Sequence, residues 1–127
     1  MFIRFETEVR DPCSRTNEGI FCAAGDVLFD GPHATLSWQI SELLRLRDWF
    51  NTHLNCPDRL WYRPGRRGEI SGVCWFRDTA GDHVTRARYM AWLLNDVGCG
   101  VVERRARRPG RILWEDVHQI VASPHLL

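Results

Sequence analysis

The sequence predicts an α+β fold: a mixed four-stranded sheet in the order β-α-α-β-α-β-β, helices mainly on one face, finished by a C-terminal β-hairpin. Three observations carry this. Polar and apolar residues alternate at the amino terminus, apolar residues recur every three or four positions in two long segments, and a Pro-Gly pair separates two strand-like runs near the other end.

Taken in order, Arg4, Glu6 and Glu8 alternate with Ile3, Phe5, Thr7 and Val9, a period-two strand over residues 2–9 that Asp11-Pro12 closes. Residues 13–19 read as a loop. A short helix over about 18–29 follows, ended by Asp30-Gly31-Pro32. The clearest helix spans about 35–54, with Leu36, Ile40, Leu43, Leu44, Arg47, Phe50 and Leu54 at helical spacing, Thr35 or Ser37 as its cap, and Pro57 barring continuation.

Residues 55–68 hold two prolines, two glycines and four arginines, the longest irregular stretch and the expected surface loop. Val73-Cys74-Trp75-Phe76 marks a buried strand over 69–77. Thr79 to Asp82 offers caps to a helix reaching about Val97, with Val84, Met90, Leu93, Leu94 and Val97 inward and Gly98 or Gly100 as the left-handed terminator. Two strands, 101–107 and 112–122, are expected to pair about a type II turn at Pro109-Gly110, with Glu115-Asp116 as a bulge in the second. Strand–helix–strand passages favour parallel neighbours, hence the mixed sheet.

At 127 residues the chain fits one domain, 1–127, able to bury a core without a disulfide or metal staple. Its 44% hydrophobic and 26% charged residues are ordinary for a globular protein. No apolar run is long enough for a membrane span, and Met1-Phe-Ile-Arg-Phe-Glu lacks the pattern of a signal peptide, so the expected location is the bacterial cytoplasm, with no membrane association. Five cysteines, odd in number and without a CxxC, are expected to be reduced. Lysine is absent and all 17 basic residues other than histidine are arginine, as a GC-rich genome would produce. The six tryptophans suit both cores and binding surfaces.

The segments Asp48-Trp49-Phe50-Asn51 with Leu54, Pro57 and Arg59, then Cys74-Trp75-Phe76-Arg77-Asp78, then Pro109-Gly110 leading to Trp114-Glu115-Asp116 and Gln119-Ile120-Val121-Ala122 resemble a set of small bacterial proteins with no established activity. The resemblance spans most of the chain. It implies an intact single domain and carries no catalytic residue across.

Charge is distributed unevenly. Residues 59–111 hold twelve arginines and five acids, a balance of +7, whereas residues 1–58 hold five arginines and nine acids, a balance of −4. Two clusters dominate: Arg59, Arg63, Arg66 and Arg67 around Trp61 and Tyr62, and Arg104, Arg105, Arg107, Arg108 and Arg111 at the expected hairpin. Arginine beside exposed aromatics suits a protein interface or single-stranded nucleic acid, where phosphates are neutralised and bases stack. On a strand, Arg104 and Arg105 must point to opposite faces. The structural alternative pairs these arginines with Glu103, Glu115 and Asp116.

Other chemistry is thinly represented. His53 and Cys56 stand three apart, but a zinc site needs a third and fourth ligand, and His33, His83, His118 and His125 are scattered; no metal and no cofactor is expected. Cys56, beside the arginine-rich loop, is the better candidate nucleophile, with His53 as its neighbour, while Cys74 in a buried strand should be inert. Asp78, Thr79 and Asp82 fit helix capping. No nucleophile elbow, P-loop or dinucleotide fingerprint occurs. The leading expectation is thus a non-enzymatic interaction protein docking a macromolecule, a protein partner first, through an arginine- and tryptophan-bearing surface. The alternatives are a binder of RNA or single-stranded DNA using 59–67 and 104–111, and a small enzyme with a reactive cysteine near Cys56.

Overall fold

The computed structural model describes residues 1–30, 35–64 and 68–125. Within them lie eight strands and three helices: β1 (Phe2–Asp11), β2 (Thr16–Gly19), α1 (Ile20–Phe29), α2 (Ser37–His53), β3 (Trp61–Tyr62), β4 (Ile70–Ser71), β5 (Val73–Arg77), α3 (Gly81–Asp96), β6 (Val102–Ala106), β7 (Arg111–Glu115) and β8 (Gln119–Ser123). The α+β class holds. The expected four-stranded mixed sheet does not: the main sheet has six strands, β3 and β4 form a separate ladder, and every ladder is antiparallel. No helix among the described residues is long and apolar enough to cross a membrane.

The path runs β2-β1-β5-β8-β7, with β6 on the remaining edge of β1. Glu6 is opposed by both Val102 of β6 and Gly19 of β2, so β2 shares the β5 edge of β1 and takes over where β5 leaves it. Helix α3 does connect two strands of the same direction, β5 and β6, but β1 lies between them and runs against both. Insertion of the amino-terminal strand between them, a placement invisible to local pattern, is what removes the expected parallel pairing.

The carboxyl-terminal end departs furthest from expectation. β6 pairs with β1, not with the strand after Pro109-Gly110, and the expected strand 112–122 is itself a hairpin, β7 and β8. Its cause is Asp116, whose carboxylate accepts the backbone N–H groups of His118 and Gln119, both at 2.9 Å, and reverses the chain. The Glu115-Asp116 bulge is therefore a turn; the register shift lies between Ile112 and Trp114. Ala106 and Arg111 sit at opposite margins of the sheet, yet the chain between them spans at most about 18 Å. Four strand spacings of about 4.8 Å already exceed that, so the sheet must curl to bring its margins together.

Helix faces follow from burial. Ile3 and Phe5 of β1 and Phe76 of β5 join the main core with residues of all three helices, whereas Phe2, Arg4 and Glu6 point the other way. In α2 the buried stripe is Gln39, Leu43, Leu46 and Phe50, while Leu36, Ile40 and Leu44 of the expected apolar face are exposed. Buried Gln39 is satisfied by its amide donating to Asp96 at 2.5 Å and its oxygen accepting the Leu36 N–H at 2.8 Å. The start of α2 is thus closed from Gln39, not by Thr35 or Ser37. At α3, Val84, Met90, Leu93 and Leu94 are buried as expected, Val97 is half-buried, and Gly98 takes the left-handed conformation at φ +92°. Neither Thr79 nor Asp82 caps this helix; it starts from Ala80 without a side-chain cap, and Asp78 instead pairs with the amino-terminal ammonium at 3.7 Å. The expected loop 13–19 contains β2, and the expected strand 69–77 breaks at Gly72 into β4 and β5. The stop at Gly31-Pro32, together with His33, Arg66 and Arg67, lies outside the described residues.

Candidate interaction surface

The two basic segments meet at Gly72. Its N–H donates to the Leu60 carbonyl at 2.6 Å, and a Cβ there would lie 3.2 Å from Leu113 Cδ1, so the chain around Leu60 and strand β7 pack against the same point. Trp61 opposes Ser71 across the β3–β4 ladder, and Arg111 opposes Ser123 at the same end of the sheet. Trp61 is 47% exposed and Ile112 44%. Tyr62, grouped with Trp61 in the sequence reading, is buried at 5%, its hydroxyl without a partner among the described residues, and belongs to the packing beneath.

Neutralisation divides the arginines sharply. Arg104 faces away from the helices and donates to Glu6 at 2.9 Å; Arg105 faces them and donates to Glu103 at 3.0 Å, a carboxylate also held by Arg88 of α3 at 2.8 Å. The opposite-face argument is correct, and each side supplies its own acid. Arg63 pairs with Glu69 at 3.5 Å. By contrast Arg59, Arg107, Arg108 and Arg111 are exposed, and their side chains have no hydrogen-bond or ion-pair partner among the described residues. Glu115, expected to pair with the hairpin arginines, pairs instead with Arg77 of β5 at 3.1 Å, and the Asp116 backbone carbonyl accepts from the same arginine at 2.9 Å.

The candidate nucleophile gains little. Cys56 is exposed, and the His53 ring donates from Nδ1 to the Trp49 carbonyl at 2.9 Å and stacks on the Trp49 ring at 4.4 Å. Burial chiefly pushes the Cys74 thiol up, and burial together with Asp11, Glu18 and Asp26 does the same at Cys22; both stay protonated and weakly nucleophilic.

A histidine cluster escaped the sequence reading. The last residue of α2, the start of α3 and the β7–β8 turn bring His53, His83 and His118 together: His83 donates from Nε2 to the His53 carbonyl at 2.8 Å, and its ring lies 4.1 Å from that of His118. Arg86 covers Trp49 at 3.9 Å. The three histidines are far apart in sequence and share no motif, so only the helix register places them. Among the described residues no group of three or more His, Cys, Asp or Glu is arranged to hold a metal ion.

No protein-family model, no curated protein and no solved structure matches this chain.

Proposed function

We propose that this chain is a non-enzymatic interaction protein that docks an acidic patch of a protein partner through the sheet end where Arg59–Trp61 and residues 107–112 converge. The observation that supports this most is the set of arginines without a carboxylate among the described residues, Arg59, Arg107, Arg108 and Arg111, beside the exposed Trp61 and Ile112. Arginine and tryptophan are the usual anchors of protein interfaces, and exposed apolar area beside unpaired charge suits a partner of opposite sign. A nucleic-acid track is the weaker reading, because Arg63, Arg104 and Arg105 are already held by acids.

The test is a pull-down of the tagged chain from host lysate, with and without nuclease, beside a variant with Arg59, Arg107, Arg108 and Arg111 changed to glutamate. A protein retained after nuclease and lost in the variant supports the proposal. Nucleic acid as the retained species, with log affinity falling about 0.7 per neutralised phosphate against log salt, transfers the function to single strands. Retention that the variant does not alter moves the interface elsewhere.

A further inference from the structure

A cleft opens where β1 and β5 part and borders the Leu60–Gly72 junction. It measures about 200 Å³ and lies between the first turn of α1, strand β5 and Leu60. Phe5, Ile20, Phe21 and Phe76 make its walls apolar, and the thiols of Cys22 and Cys74 line it. A dry cavity of about 150 Å³ accommodates benzene, so this space suits one substituted ring.

Its polar lining comprises Asp11, Ser14, Ser71, Gln119 and Arg4, the last only 9% exposed and the one cation among them. The guanidinium donates to Glu6 at 3.2 Å, the Cys74 carbonyl at 3.1 Å and the Asn17 carbonyl at 2.9 Å. A guanidinium has five N–H donors, so donors remain for an acceptor in the cleft. The charge nearby argues against an anion. Glu6 answers Arg4 directly, Asp11 borders the same cleft, and Glu18 and Asp26 act on Cys22 with the sign of negative charge. A cation would meet Arg4. A neutral ring bearing a carbonyl meets neither penalty and accepts from the guanidinium.

We propose that this cleft is a binding site for a small uncharged aromatic compound carrying a carbonyl or amide oxygen, its ring among Phe5, Phe21 and Phe76 and its oxygen toward Arg4. The thiols, held protonated by burial, add soft neutral wall on either side of the ring.

The experiment is an amide NMR titration of the full chain with benzamide, with benzoate and benzylammonium as charged counterparts. Saturable shifts at Cys22, Gly72 and Cys74, with the charged compounds at least about tenfold weaker, are expected. The Cys22→Trp variant, which fills the mouth from an exposed helix position, should abolish the benzamide shifts while keeping a folded spectrum. No saturation by about 20 mM, a dissociation constant too weak for a formed site, overturns the proposal. So do shifts unchanged by Cys22→Trp, or benzoate or benzylammonium binding as tightly as benzamide. If that variant fails to fold, Cys74→Met narrows the same cleft from the sheet and is read by the same criteria.

Discussion

Arg4 donates to the Cys74 carbonyl at 3.1 Å across the point where β1 and β5 part. Ladder pairing between these strands ends after Ile3↔Phe76, and β2 takes up the same edge of β1 from Glu6 onward. One guanidinium bridges the interval by serving a carbonyl from each departing neighbour, Cys74 on one side and Asn17 on the other. Arg4→Met should therefore take a donor from the Cys74 and Asn17 carbonyls and leave the largely buried Glu6 to Arg104 alone, a loss of about 2–4 kcal/mol. Urea unfolding followed by tryptophan fluorescence measures it; a loss below about 1 kcal/mol would show that the strands close the gap without the arginine.

Gly72 and Gly25 should respond to alanine with opposite signs. A Cβ at Gly72 would lie 2.5 Å from Val121 Cγ1 and 3.1 Å from the Leu60 carbonyl, whereas one at Gly25 in α1 would meet nothing within 4 Å. Gly72→Ala is expected to cost about 1–3 kcal/mol through overpacking. Gly25→Ala should add about 0.5–1 kcal/mol, because it stiffens the unfolded chain and suits a helix interior. Paired thermal melts decide both, and like signs would contradict the packing at Gly72.

Asp116 makes the turn that turns one expected strand into two. Asp116→Ala removes the acceptor for the His118 and Gln119 N–H groups and for the Asn55 amide at 3.1 Å. A loss of about 1–2 kcal/mol is expected, with faster hydrogen exchange at His118 and Gln119 relative to β1. Exchange slowing or holding at those two amides would refute the turn assignment.

Acid should weaken the fold through two carboxylates. Burial raises Asp116, but the backbone N–H groups of His118 and Gln119 and the Asn55 amide outweigh it and hold the carboxyl below its ordinary value. Hydrogen bonding from Arg88, then from Arg105, holds Glu103 down likewise against burial. A carboxyl depressed in the folded state adds stability above its unfolded value, and that contribution is lost as pH falls through the folded one. Unfolding midpoints should thus decline as pH drops below about 4, and Glu103→Gln should flatten the decline. Glu18, pushed up mainly by burial, runs the other way: its contribution is present in acid and lost as pH rises.

Charge reversal at Arg104 should not mimic reversal at Arg108. Arg104 is held by Glu6, whereas Arg108 has no partner among the described residues. Arg108→Glu should weaken capture of the proposed partner by about tenfold with little change in melting temperature, as expected for a free interface charge. Arg104→Glu should lower the melting temperature, because it sets two acids side by side. Equal effects on capture would put Arg104 back on the surface.

Local pattern was enough for the three helices, the first strand and the left-handed stop at Gly98, because periodicity, breakers and backbone strain act within a few residues. The opposite facing of Arg104 and Arg105 followed from the strand period alone. What the sequence could not decide was partnership. Whether β6 pairs with β1 or with β7, whether Leu44 or Leu46 meets the core, and which arginines find an acid depend on elements distant along the chain. The Gly72 junction joins residue 60 to residue 113, and the histidine cluster joins 53, 83 and 118. Hydrogen-bond register and burial are set by the whole chain competing for one core, so tertiary structure selects among options that each local segment leaves nearly equal in energy.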